Sequence, residues 1–270
     1  MGVLAIYYQS TSESPLLLAL NREERLDRAS TPPRIQSGRP RIVCGVDSVA
    51  SGTWAGVNQY GLFVALLNAP KCQIPEEPRS RGLLCRDLLA LPDAETALDI
   101  GLKEVQSQQY AGCNILCADL RSGGVIHGGD EMDVEKLKPG LHVLSENRLD
   151  DRYDERQEFV RRQLTLQRID SPVSFFAIAS KTFSRRTNPD GKLGVLVSKR
   201  NVVTASSMML SLTEKSHRSS MQYANGSPDI KTYDDISALL RQVLSTERAA
   251  KAAAAAKESK TKDNEQSTDI

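Results

Sequence analysis

Polar residues able to do chemistry gather at three places where an apolar strand pattern gives way. The first is Asn21-Arg22-Glu23-Glu24, directly after Pro15-Leu16-Leu17-Leu18-Ala19-Leu20. A guanidinium there offers a planar fork suited to a carboxylate or a phosphate, and the two acids can orient it. The pattern also describes, and by itself favours, an exposed turn held by weak surface ion pairs. The second place is Ser51-Gly52-Thr53-Trp54-Ala55-Gly56-Val57, which carries the only tryptophan of the chain. Trp54 between two glycines could form a flat wall with close backbone approach, although a large core residue is the more ordinary reading. Asn68, at the end of the next apolar run, could donate its amide to an oxyanion or cap a turn. The third is Leu144-Ser145-Glu146-Asn147-Arg148-Leu149-Asp150, where a helix N-cap is the simpler alternative. His127, His142 and His217 lie far apart, and solvated or hydrogen-bonded imidazoles are expected rather than ligands. The sequence holds no Gly-rich phosphate loop, no His-Glu-x-x-His helix and no Gly-x-Ser-x-Gly elbow.

Composition limits what these residues can serve. At 270 residues the chain can form one large domain or two small ones without covalent staples. Apolar residues at 40% and charged residues at 26% exclude a disordered, collagen-like or membrane-channel description of the whole. Thirty-five Lys and Arg against 34 Asp and Glu give no electrostatic case for wrapping nucleic acid, and 5% aromatic content weakens base stacking. Cys44, Cys72, Cys85, Cys113 and Cys117 are too scattered for a disulfide framework, so a reducing compartment is expected. Cys113 and Cys117 fall in a strand pattern that sets them about 13 Å apart, too far for one metal ion. The start lacks an export signal, and no run of about 18 apolar residues occurs, so the expectation is a cytoplasmic protein with no membrane span. Met1-Gly2 invites myristoylation only weakly, because the sixth residue is Ile6.

The elements that must position these residues begin with strands at 3–9, 15–20, 42–47, 53–58 and 62–67, the last two joined as a hairpin. Pro70, Pro75 and Pro78 then forbid regular structure. Helical periodicity follows around Leu83 to Leu89 and from Asp93 to Gln106. Strands resume at 114–120, 125–127 and 141–144, and 150–168 reads as a largely solvent-facing helix. A strand pair is expected at 202–212 and 220–223. Thr232 with Asp235 resembles a capping box ahead of the stripe Ile236, Leu239, Leu240, Val243 and Leu244. Strand runs separated by helix runs predict an α+β architecture with antiparallel sheet covered on both faces. The expected domain spans 1–246, and 247–270 is expected to be an Ala/Lys-rich tail that extends the helix and then frays.

Taken in order, Ala19 to Glu24, Ser51 to Val57, Gly61 to Asn68, Ser80-Arg81-Gly82, Tyr110 to Asp119, Leu137 to His142 and Leu144-Ser145 resemble the family named for its Asn-Arg-Asp-Glu motif, which includes the transport and Golgi organisation 2 proteins. The likeness covers residues 3–150 best. It implies a four-layer αββα sandwich similar to N-terminal nucleophile hydrolases, in which the first residue supplies both nucleophile and base. Family members carry Cys where this chain has Gly2, and glycine has nothing with which to attack a carbonyl. Asp is replaced by Glu23. Glu146 stands where a Ser-Asn pair is usual, and there it would repel a developing oxyanion; a one-residue shift lets Asn147 serve instead.

The resemblance therefore implies a non-hydrolytic protein that binds a small molecule around Asn21, Arg22, Glu23, Trp54, Asn68, Asn114 and Asn147. The ligand classes it suggests are haem and acyl-CoA or other lipids. Haem ligation would call on His127, His142 or a cysteine thiolate. An amide or thioester hydrolase with an unfamiliar nucleophile and a protein-interaction scaffold engaging a partner through the second half of the chain and the tail are the alternatives.

Overall fold

A computed structural model describes residues 2–187, 194–199 and 201–244. In chain order it contains β1 (Gly2–Tyr8), β2 (Leu16–Arg25), β3 (Ser30–Gln36), β4 (Ile42–Asp47), β5 (Ala55–Asn58) and β6 (Phe63–Asn68). Helices α1 (Arg81–Leu88) and α2 (Ala94–Gln106) follow, then β7 (Cys113–Ala118), β8 (Gly123–Gly128), β9 (Met132–Lys136) and β10 (Gly140–Leu144). The remainder comprises α3 (Glu155–Thr165), α4 (Pro172–Phe183), β11 (Ser198–Lys199), β12 (Val202–Leu212), β13 (Ser220–Ala224), β14 (Asp234–Asp235) and a helix, α5, from 237 to 244.

The strands form two antiparallel sheets. In the first, β10, β1, β2, β12, β13 and β14 lie side by side, with β11 on β12; in the second, β3 to β9 follow one another in sequence order. Three apolar cores make the stack. Leu4, Ile6, Leu18 and Leu20 meet Val57, Phe63, Ala65 and Leu116 between the sheets. Val3, Ala5, Leu17 and Ala19, on the alternate face of β1 and β2, pack under α3 and α4 through Val160, Leu164, Phe175 and Phe183. Val64, Ile115 and Ile126 pack under α1 and α2. Because both faces of each sheet are covered, the strands read as continuous apolar runs rather than alternating ones. The architecture is the expected α+β sandwich of helix, sheet, sheet and helix. Cys44, Cys113 and Cys117 are sealed in the core beneath α1 and α2, Cys85 faces that core from α1 itself, and Cys72 is exposed.

Several elements differ from the sequence expectation. The second strand does not stop at Leu20: its ladder with β1 runs to Arg22, and that with β12 continues to Arg25. The Asn21 to Glu24 segment is therefore strand, not an exposed turn. β3 forms despite Pro32 and Pro33 because it lies at a sheet edge and its register slips between Thr31 and Arg34. β9 is a second strand that the expectation left out. α3 is shorter than 150–168 and buries Gln157, Val160 and Leu164, so it is not mainly solvent-facing. α4 had no counterpart, although Ser171 and Ser174 form a reciprocal capping box with Pro172 in the first turn. Asp234 and Asp235 pair with β13, and the Asp235 carboxylate accepts from the Ser237 amide at 2.9 Å, so capping starts later than Thr232. The boundary at 246 and the 247–270 tail lie outside the described residues.

Candidate functional site

Residue alternation along β2 sends neighbours to opposite sides of the first sheet. Arg22 follows Leu18 and Leu20 toward the second sheet; Asn21 and Glu23 follow Leu17 and Ala19 toward α4 and α3. Asn21 donates from its amide to the Phe183 carbonyl at 2.8 Å, and Glu23 forms an ion pair with Arg156. Both are buried anchors of the helical layer, on the opposite face of the sheet from Arg22.

Arg22 is only 7% exposed, and its guanidinium carbon lies 4.1 Å from the Trp54 ring centroid. The stack joins the two sheets at one end of the sandwich, a desolvated cation-π contact worth about 2 kcal/mol. Its Nη1 donates to the Ser30 hydroxyl at 3.1 Å and its Nη2 to the Glu24 carboxylate at 3.3 Å. Burial lowers the Arg22 pKa, and Glu24, Tyr223 and Asp47 oppose that shift. The indole fits because residue 45 is glycine: a Cβ there would come within 2.3 Å of the ring. Its approach is fixed by a backbone crossing. Thr53 N donates to the Gly82 carbonyl at 2.9 Å, and a Cβ on Gly52 would come within 2.4 Å of the Gly82 carbonyl carbon. The Gly-Thr-Trp loop and the first turn of α1 thus touch through their glycines.

Beside this stack opens a cleft of about 320 Å³ lined by Arg22, Trp54, Asn68, Arg28, Asp47 and Arg81. Arg28 holds the Asp47 carboxylate at 2.6 Å. Burial pushes Asp47 upward, but hydrogen bonds from Arg28 and the Val49 and Ala50 amides hold it below the ordinary carboxylate range. Arg81 donates to the Gly112 carbonyl at 2.7 Å, and burial lowers its pKa. The cleft is also lined by two hydroxyls, both engaged locally: Thr53 donates to the Ala55 carbonyl, and Ser80 caps α1 by accepting from the Leu83 amide. Arg28, Asp47 and Arg81 were not among the expected site residues; Arg81 sat in a quoted motif, whereas Arg28 and Asp47 gave no local signal.

Gly2 pairs with Arg22 across β1 and β2. Its missing side chain would point between the sheets, where an ideal Cβ lies 2.8 Å from the Asn21 carbonyl oxygen and 3.7 Å from Leu67. The Asn21 carbonyl crowds the first atom that any side chain would add there.

Asn114 and Asn147 belong to a separate buried bracket. Asn114 donates to the carbonyls of Ser145, Glu146 and Asn147 at 3.1, 3.4 and 2.8 Å. Those three acceptors orient its amino group, so its oxygen faces His127 Nδ1 at 2.8 Å and that nitrogen carries the proton. The Asn147 amide is spent on Asp154 at 3.0 Å, and Ser145 also donates to Asp154. Glu146 enters the bracket through its carbonyl. Of the expected binding residues, the fold thus brings Arg22, Trp54 and Asn68 into one cleft, sets Asn21 and Glu23 behind it, and engages Asn114 and Asn147 in shaping the 145–154 segment.

The described residues do not fit axial haem ligation at this cleft. Neither an imidazole nor a thiol lines it. His127 faces Asn114, and both His142 nitrogens meet acceptors, Asp150 at 2.6 Å and the Lys138 carbonyl at 2.7 Å. Burial raises the thiols of Cys44, Cys85, Cys113 and Cys117, and a hydrogen bond to Asp130 raises Cys72, so none is poised as a thiolate. Among the described residues no group of three potential metal ligands occurs, and no helix is long and apolar enough to cross a membrane.

Comparison with known proteins places this geometry. Residues 1–168 match the family described as Transport and Golgi organisation 2. The human transport and Golgi organization protein 2 homolog is 31% identical over 138 residues, covering 48% of this chain and 50% of that protein; the mouse homolog is 30% identical with the same coverage. The chain spans about half the length of the curated relatives it matches. Among solved structures, the Caenorhabditis elegans N-acylethanolamine-hydrolyzing acid amidase ortholog superposes with a TM-score of 0.52 at 15% identity, over 77% of this chain and 92% of that one. That likeness is one of fold, the N-terminal nucleophile hydrolase-like sandwich.

Proposed function

Because the chain belongs to the Transport and Golgi organisation 2 family, we propose that it is a non-hydrolytic binding protein whose cleft takes the anionic end of a small acyl-bearing ligand, in the acyl-CoA or lipid class. The observation that carries this reading is the position of Arg22: a buried guanidinium, stacked on Trp54 and held by Ser30 and Glu24, facing a cleft with three further arginines, Arg28, Arg79 and Arg81. Such a fork recognises a carboxylate or phosphate oxygen, and partial desolvation strengthens the contact. Against hydrolysis stand the missing side chain at Gly2, whose Cβ position the Asn21 carbonyl crowds, and the internal engagement of Thr53 and Ser80. Of the ligand classes the family resemblance suggests, haem finds no axial donor in the cleft, which favours the acyl class.

The test uses Trp54 as the reporter, since it is the only tryptophan in the chain. Titration of the full chain with oleoyl-coenzyme A should change the fluorescence saturably, and Arg22→Leu should abolish the response. The same protein incubated with N-oleoylethanolamine and with penicillin V should show neither turnover nor a covalent mass shift. Steady hydrolysis of either compound, lost in Arg22→Leu, would overturn the proposal in favour of an enzyme.

A further inference from the structure

Arg22 and Arg28 wall two cavities. The second, about 430 Å³, lies between β2, β12 and the 226–230 turn, and neither Trp54 nor Asn68 lines it. Four arginines line it: Arg22, Arg25 and Arg28 from β2 and the turn after it, and Arg186 from beyond α4. Each has a carboxylate partner: Glu24 on Arg22, Asp27 on Arg25, Asp47 on Arg28 and Asp229 on Arg186. None of those four carboxylates lines the cavity. The pairs leave donors unspent. Arg25 commits Nε and Nη2 to Asp27, Arg28 commits Nε and Nη2 to Asp47, and Arg186 reaches Asp229 through Nε. At the mouth, Leu26 is 67% and Ile230 72% exposed, with Val197 and Val203 further in.

We propose that this cavity is a binding site for a phosphate monoester carrying an aliphatic chain. A carboxylate is satisfied by one planar fork, whereas the terminal oxygens of a phosphate accept from several directions, as guanidiniums from separate chain segments supply them. Leu26 and Ile230 give the chain an apolar surface that would otherwise remain in water. The site goes beyond the Trp54 cleft and is tested on residues that cleft does not use.

Isothermal titration of the full chain with decyl phosphate, decanoate and inorganic phosphate separates head from chain. Decyl phosphate should bind at least tenfold more tightly than either of the others. Arg25→Gln and Arg186→Gln together should weaken it at least tenfold, while Leu26→Ser with Ile230→Ser should weaken decyl phosphate and leave inorganic phosphate unchanged. These four side chains are largely exposed, so the variants should keep the wild-type melting temperature, and their oleoyl-coenzyme A response at Trp54 reports separately on the other cleft. Sedimentation with phosphatidylcholine vesicles containing phosphatidate distinguishes the source: pelleting that needs Arg25 and Arg186 assigns the phosphate to a membrane lipid, and its absence alongside decyl phosphate binding assigns it to a soluble ligand. Decanoate binding as tightly as decyl phosphate, or unchanged affinity in the arginine double variant, would overturn the proposal.

Discussion

At the scale of single residues, the contrast between Gly2 and Arg22 decides what the cleft can do. Introducing a thiol by Gly2→Cys is expected to give no amide hydrolysis, because the new Cβ falls 2.8 Å from the Asn21 carbonyl oxygen and β1 must shift to admit it. Overpacking of this kind costs about 1–3 kcal/mol, readable as a lower urea midpoint; a folded Gly2→Cys protein that cleaves N-oleoylethanolamine would contradict this account. Arg22→Lys keeps the charge but loses the fork and the flat stack, so affinity for oleoyl-coenzyme A should fall about tenfold, near the cost of one such contact. Arg22 and Trp54 could be singled out in the sequence as candidates, but not as partners. They sit in different sheets and meet only because Gly45 and the Gly52 to Gly82 crossing leave room for the indole. Asn21 and Glu23 were drawn into the same site by adjacency in sequence, whereas the two-residue period of a strand puts them behind it.

At the scale of elements, β2 is the shared wall: one face carries Arg22 to the cleft, the other ties α3 and α4 to the sheet. Removing the partner of a buried carboxylate is strongly destabilising, so Arg156→Met should cost about 3 kcal/mol or more by denaturant unfolding; a loss below 1 kcal/mol would mean that Glu23 does not anchor α3. Gly82→Ala tests the contact between the Gly52 loop and the start of α1. The added methyl lies 3.3 Å from the Thr53 carbonyl oxygen, so a modest loss of melting temperature with weaker oleoyl-coenzyme A binding is expected, and an unchanged affinity would dissociate the crossing from the cleft. The strands with long apolar runs, β1, β4, β6 and β12, were legible because both faces are buried. β3 and β9 were not, since edge strands tolerate proline and charge that central strands exclude. The end of β2 was misread because Asn, Arg and Glu signal a turn unless something across the sheet receives them, and those receivers, Phe183, Trp54 and Arg156, come from distant segments.

At the scale of the whole molecule, two histidines set opposing pH slopes on stability. Burial lowers the His127 pKa to about 4, so the fold favours its neutral form; that contribution is complete above about 6.5 and is lost as pH falls toward 4. His142 moves the other way. Burial alone would lower it, but Asp150 and the Lys138 carbonyl outweigh burial and raise it, so its contribution is complete below about 6.5 and is lost as pH rises through the folded value. Melting curves at pH 5, 6.5 and 8.5 should therefore show His127→Gln flattening the acid side alone and His142→Gln the alkaline side alone; the same change in both variants would refute the assignment. The helical layer over the second sheet has a consequence of its own. Four sulfurs lie in the core between α1, α2 and the second sheet and a fifth lies outside, so a colourimetric thiol reagent should titrate Cys72 promptly and the others only when that pair of helices lifts away. The protein thus carries an intrinsic clock for the breathing of one layer, and the slow phase of labelling times how often the sandwich comes ajar.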